Sequence, residues 1–291
     1  MTQYIIANHP IEVSGRGLSL IPGFNSFASA NHTDGQAILQ LQQGVPLMGW
    51  DIAPLHRFPL GNGEVMCSFG IHGGVYLLRM EKAGKAPLLL RVMKAEDCFV
   101  AQTNMEAQKQ GELLRFACWM AYGIAAVHHQ TLAMHASTVS YAGKSILFLG
   151  ESGTGKSTHT QLWLNHISPT ELLNDDSPFV RVMEDHSVWV FGSPWSGKTP
   201  CYQNKSTAVA AIVRLSQAPY NKIKRLKGIA ALGSLLPSCP PAFAYDPTLL
   251  SYISRILDII LQQVPIYSLE CLPNPEAAQL VLETLQESGR L

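Results

Sequence analysis

Ser145-Ile146-Leu147-Phe148-Leu149 runs directly into Gly150-Glu151-Ser152-Gly153-Thr154-Gly155-Lys156-Ser157. The first five residues are the short apolar run of a buried strand. The next eight fit the pattern GxxxxGK followed by Ser or Thr. With glycine at ~7% of residues in ordinary chains, chance supplies such a match in roughly one chain of this length in a hundred. Residues 155–166 then read as a helix. Strand, glycine-rich loop and helix, in that order, are the setting in which this pattern cradles phosphate. Glycines let backbone N–H groups converge on phosphate oxygens with no side chain in the way. The helix aims its positive end at the same anion. Lys156 is a mobile point charge able to reach β- and γ-phosphates, and Ser157 offers a hydroxyl to Mg²⁺, a cation that takes few protein ligands. The expected nucleotide-binding set is Gly150, Glu151, Ser152, Gly153, Thr154, Gly155, Lys156, Ser157 and Thr158.

Downstream, Glu171-Leu172-Leu173-Asn174-Asp175-Asp176 is an apolar run that ends in two carboxylates. Beside a phosphate loop, that is where a metal-organising Asp is expected. One Asp can hold Mg²⁺ and the other accept a proton from an attacking hydroxyl. The competing reading is an Asx turn into Ser177-Pro178. Upstream, His135 sits in Ala133-Met134-His135-Ala136-Ser137, inside a strand expected over 132–140. It is either a hydrogen-bonded core histidine or a group of the site. A third candidate, Trp195-Ser196-Gly197-Lys198, follows the strand 188–191. A loop of small residues, an aromatic and a lysine suits substrate contact, and an ordinary surface loop is the alternative.

The chain has 291 residues, enough for one large domain or two modest ones. Its hydrophobic share is 47% and its charged share only 14%, which excludes a disordered chain. Lys plus Arg and Asp plus Glu balance at 21 each, so no broad field attracts nucleic acid or an anionic membrane. The six cysteines are scattered without a CxxC pair and read as reduced structural thiols. The N-terminus lacks a signal-peptide pattern, and the longest apolar-leaning stretch, 116–127, is too short to span a bilayer. The cytoplasm is the expected compartment.

Residues 1–108 read as a β-rich N-terminal domain, with strand signals at 4–7, 37–41, 65–71, 75–80, 87–93 and 98–102. A helix at about 111–129 is expected to serve as a linker, within a joining segment 109–130. Residues 131–291 form the expected catalytic domain. Its strands are expected at 132–140, 145–149, 171–174, 179–183, 188–191, 208–215 and 266–271, and its later helices at 226–236, 249–263 and 275–285. The short turn at 141–144 suits an antiparallel pair, so the fold class is α/β with a mixed sheet.

His135 lies fifteen residues before Gly150, a hairpin joins them, and an Asp pair follows the helix. This pattern resembles the catalytic domain of HPr kinase/phosphorylase, whose P-loop fold is related to that of ATP-dependent phosphoenolpyruvate carboxykinase. It is more similar still to the looser group of HPr-kinase-like proteins. The resemblance covers about 131–290 and includes Ala211-Ile212-Val213-Arg214-Leu215; residues 1–108 lie outside it. It implies phosphate binding by 150–156, magnesium at Ser157 and Asp175, and an acid or base at Asp176, with the two Asp roles exchangeable. It also places His135, with Lys156, at the transferred phosphoryl group.

The expected activity is therefore ATP-dependent phosphoryl transfer to a hydroxyl, of serine type, on a protein, peptide or small molecule. ATP and Mg²⁺ are the expected cofactors, with GTP left open because no guanine-reading motif is evident. The alternative is a nucleotide-dependent sensor without transfer. No nucleic acid or membrane partner is expected, and the oligomeric state is open, a homo-oligomer among the options.

Overall fold

The computed structural model describes residues 1–15, 17–30, 35–48, 53–197 and 199–291. They divide into two units, Met1–His129 with Ala242–Leu250, and Gln130–Pro241 with Ser251–Leu291. Both units carry mixed sheets, so the fold class is mixed α/β.

The first unit holds β1 (Thr2–Ile6), β2 (His9–Ser14), β3 (Leu39–Gln42), β4 (His56–Leu60), β5 (Val65–His72), β6 (Val75–Glu81), β7 (Leu88–Lys94), β8 (Phe99–Thr103) and α1 (Ala107–Val127). The strands form one sheet in the order β1-β2-β3-β8-β7-β6-β5-β4. Alternation sorts its faces: Ile11 and Val13 of β2, and Phe99, Ala101 and Thr103 of β8, are buried, while their neighbours are half-exposed. Helix α1 packs on this sheet against β3 and β7, burying Leu114, Ala117, Cys118, Ala121 and Ile124. It is thus part of the first unit's core rather than the linker that the sequence suggested. The segment Ala242–Leu250, expected in the catalytic domain, also belongs to this unit. Phe243 explains it: a Cβ at Gly123 of α1 would come within 3.1 Å of the Phe243 ring, so the ring packs directly on the helix backbone.

The second unit is ordered β9 (Thr131–Ala133), β10 (Ala136–Tyr141), β11 (Lys144–Leu149), α2 (Lys156–His166), β12 (Thr170–Asp176), β13 (Phe179–Val182), β14 (Val188–Phe191), β15 (Ser206–Gln217), β16 (Lys222–Leu226), α3 (Gly228–Leu235), α4 (Pro247–Gln263), β17 (Ile266–Cys271) and α5 (Pro275–Glu287). The first turn of α4 falls in the other unit. β11 lies between antiparallel β10 and parallel β15. β15 also pairs in parallel with β17 and, at its start, antiparallel with β14. The turn between β10 and β11 places Ala142 and Gly143 at φ 49° and 78°, the positive pair that a tight two-residue hairpin needs. Phe148, Trp163, Val213, Leu269 and Val281 share the core between this sheet, α2 and α5.

The strand expected over 132–140 is broken at Met134-His135. β9 pairs with β13 and β10 with β12, so the chain steps between partners there, and His135 N–H donates to Ser238 O at 2.7 Å. Strands β2, β4 and β16 had no counterpart in the sequence reading. β4 contains Pro59 and β16 reads Lys-Ile-Lys-Arg-Leu; both lie at sheet edges, where proline and lysine are tolerated and the apolar pattern is diluted. All six cysteines are free. Burial pushes the Cys67 and Cys239 thiols up to about 12, as suits structural residues. Among the described residues, no helix is long and apolar enough to cross a membrane.

Candidate functional site

The loop 150–155 joins the end of β11 to the start of α2. Gly150, at φ 156°, is a position that favours glycine, and a Cβ there would force the Thr154 side chain to move. Gly153 and Gly155 adopt φ of 84° and 101°, conformations that only glycine reaches without strain. Gly155 is the N-cap of α2 and makes no side-chain cap, so the first N–H groups of the helix have no side-chain acceptor there. That is an arrangement open to an anion.

Lys156 is folded back over this loop. Its Nζ donates to Gly150 O at 2.8 Å and Glu151 O at 3.2 Å, and lies 2.9 Å from His135 Nε2. Burial holds the Lys156 pKa below the usual lysine range; Asp176 and then Asp175 oppose the shift, and Arg214 adds to it. Arg214 reaches this neighbourhood from β15, paired beside Leu149, with Nη1 on Ser234 O at 3.1 Å.

The two carboxylates lie inside β12 rather than after it. Antiparallel pairing sets Asp175 opposite Ser137 and Asp176 opposite Ala136. Asp175 is 4% exposed, and its Oδ1 accepts from Ser137 Oγ at 2.7 Å and Ser157 Oγ at 3.0 Å. A buried carboxylate needs such donors. Asp176 ends the strand at φ 149°, rare for a residue with a side chain, and its Oδ1 lies 3.3 Å from His135 Nδ1. His135 therefore bridges Asp176 on one ring nitrogen and Lys156 on the other. With Lys156 donating to Nε2, the consistent tautomer carries its proton on Nδ1 and donates to Asp176. The side chains of both His135 and Asp176 are 42% exposed, so this chain of contacts opens to solvent.

The loop after β14 contributes differently from the expectation. Trp195 is 5% exposed, with its ring centroid 5.7 Å from that of Phe179, so the indole fills the core instead of facing an acceptor. Ser196 Oγ donates to Thr199 O at 2.6 Å, accepts from Cys201 N–H at 3.1 Å and lies 3.4 Å from Asp175 O, while its backbone bridges Asp176. Gly197 also meets the site: its N–H donates to Asp175 O at 2.5 Å, and a Cβ there would lie 2.9 Å from that oxygen. Lys198 lies outside the described residues. Thr158, half a turn into α2, is exposed beside the loop.

Four supporting residues carried no recognisable signal in the sequence. Ser137 and Thr160 flank Asp175, with their hydroxyls 3.1 Å apart. Asn174 Nδ2 donates to Trp195 O at 3.0 Å and to Ser193 Oγ at 3.3 Å, while its Oδ1 accepts from Ser177 N–H at 2.9 Å. Ser193 Oγ in turn donates to Ser177 O at 2.6 Å. This buried network fixes the backbone on both sides of the Asp pair. Asn174→Ala removes the bonds to Ser177 N–H, Ser193 Oγ and Trp195 O from this buried network, an expected cost of about 1–3 kcal/mol. Urea denaturation is expected to register that loss; a change below about 0.5 kcal/mol would contradict this account of the loop.

Ser157 Oγ and Asp175 Oδ1 form a pair of hard oxygen donors beside the loop. This set fits a cation such as Mg²⁺, which retains its waters and draws other ligands from phosphate. Among the described residues, no group of three or more His, Cys, Asp or Glu could hold a metal alone.

No family model and no curated protein matches the sequence. Among solved structures, the chain is similar to the HPr(Ser) kinase/phosphatase from Coxiella burnetii, at 13% identity and a TM-score of 0.31, over 54% of this chain and 95% of that one.

Proposed function

We propose that the second unit is a P-loop phosphotransferase that moves the γ-phosphoryl group of a nucleoside triphosphate, ATP in the first instance, to an acceptor hydroxyl. Within that class we assign it to the HPr-kinase-like type, on the sequence spacing of His135, the loop 150–157 and the Asp pair. The observation that carries the reading is the convergence of Lys156, Ser157, Asp175, Asp176 and His135 around one glycine-rich helix start.

The loop N–H groups and the start of α2 hold the β- and γ-phosphates. Lys156 leaves the carbonyls of Gly150 and Glu151 and meets phosphate oxygens instead. Ser157 and Asp175 are the residues that would hold Mg²⁺, which when bound neutralises charge on the phosphates. Asp176 accepts the proton of the acceptor hydroxyl while His135 Nδ1–H steadies the carboxylate. The acceptor oxygen bonds to the γ-phosphorus, the bond from phosphorus to the bridging β,γ-oxygen breaks, and ADP leaves. The proton ends on Asp176.

ADP release is the direct test. The whole chain, given ATP and Mg²⁺, is expected to release ADP faster when hydroxyl-bearing peptides and small molecules are supplied, and to stop on EDTA. Tight ATP binding with no turnover against any acceptor would instead make the chain a nucleotide sensor.

A further inference from the structure

A groove of about 720 Å³ opens beside the phosphate loop. Gly153, Thr154 and Gly155 of the loop form one end of it. Its walls are Leu162 from α2, Leu215 and Ala218 from the end of β15, and Leu272 and Pro273 just after β17. Neither Asp, Glu, Lys nor Arg lines it. The two ionisable groups that do, His159 and Cys271, are neutral near pH 7: burial pushes the His159 imidazole down to about 4 and raises the Cys271 thiol. The surface is therefore uncharged and mostly apolar, with Thr154, Thr158, His159 and Gln217 as its polar side chains, directly beside a loop suited to anions.

The topology explains this position. β11, β15 and β17 run parallel, and their carboxyl ends meet here. That edge of an open α/β sheet is where ligands bind. Gln217, at the last position of β15, ties the groove to the loop through a long contact from Nε2 to Gly153 O, 3.4 Å. A volume of this size accommodates a nucleoside, and an apolar cleft with few polar groups suits a flat heterocycle better than a sugar acid or a second phosphate.

We infer that this groove holds the purine base of the nucleotide, clamped between the aliphatic side chains of Leu162 and Leu272, with its phosphates in the adjoining loop. The inference rests on the phosphotransferase reading of that loop. The base is held by apolar contact, without a carboxylate to read its edge.

The test is calorimetric binding of MgATP and of magnesium tripolyphosphate to the full chain, in wild type and in two variants. Ala218→Trp fills the groove, and Leu272→Ala removes an exposed contact with little risk to folding. Wild type is expected to bind MgATP at least about tenfold more tightly than tripolyphosphate. Both variants should weaken MgATP by about tenfold or more and leave tripolyphosphate within about twofold. Unchanged MgATP affinity in both variants would overturn the inference, as would equal affinity of wild type for the two ligands. Both of those results leave the phosphate loop intact. Failure of wild type to bind either ligand would remove the phosphotransferase reading itself, and the groove's role with it.

Discussion

Lys156→Ala is expected to lower phosphoryl transfer by about 10²–10³-fold, the scale seen when one charge-stabilising donor is removed from a transition state. The ammonium now rests on Gly150 O, Glu151 O and His135 Nε2. These are weak competitors for it compared with a triphosphate, so the lysine is stored close to where it acts. Burial lowers its pKa, and Asp176 and Asp175 counter that shift; a bound anion adds further stabilisation of the charged form. Because Lys156 is only 9% exposed, alanine also leaves a small void, and Lys156→Met serves as the control that keeps the volume without the charge. Both variants should melt near the wild type and fail to turn over. ADP release within tenfold of wild type in either one would remove Lys156 from the mechanism.

The Asp176→Asn protein is expected to bind MgATP as the wild type does and to lose about 10²–10⁴-fold in turnover, the range for removing a general base. Asparagine keeps the size of the side chain and its contact with His135, so the loss falls on kcat rather than on nucleotide affinity. Asp175→Asn should behave differently. It weakens the pair of oxygens that Asp175 forms with Ser157, so its defect should appear as a higher Mg²⁺ requirement. Titrating Mg²⁺ in the two variants separates the roles. If the Mg²⁺ defect follows Asp176 and the turnover defect follows Asp175, the assignments are exchanged. If neither variant loses turnover, the pair serves only to shape the strand end.

Several of the elements around the site could be read from the chain because their signals are local. The run 145–149, the glycine spacing and the helix after it are consecutive in sequence. The paired φ at Ala142 and Gly143 follows from a short turn between two strands. The helix expected from 111 matches the regular part of α1, since Gln110 departs from helical geometry. Its role was not legible: its packing on β3 and β7 joins segments distant in the chain, and Phe243 returns to meet Gly123 from more than a hundred residues away.

The same division holds within the site. Asp175, Asp176, Lys156 and His135 stood out as residue types beside a phosphate-loop pattern. Trp195 stood out too, as a candidate substrate contact, and its ring is buried; an aromatic in a glycine-rich loop gives no sign of which way it turns. Ser137, Asn174, Ser193 and Arg214 are ordinary residues in strands or loops, and they gain meaning only from their partners across the sheet.

By itself the sequence determined the glycine-rich loop between a strand and a helix, the acidic run downstream and the mixed α/β character, since each depends largely on near neighbours in the chain. The tertiary structure alone decided that β10, beyond its hairpin with β11, also pairs with β12, which sets Asp175 against Ser137 and Ser157. It also decided that the strand breaks at His135, freeing the imidazole to bridge Asp176 and Lys156. The physical reason is that register and chain direction are settled by burial of whole strand faces, a property of the assembled sheet and not of any one stretch of residues.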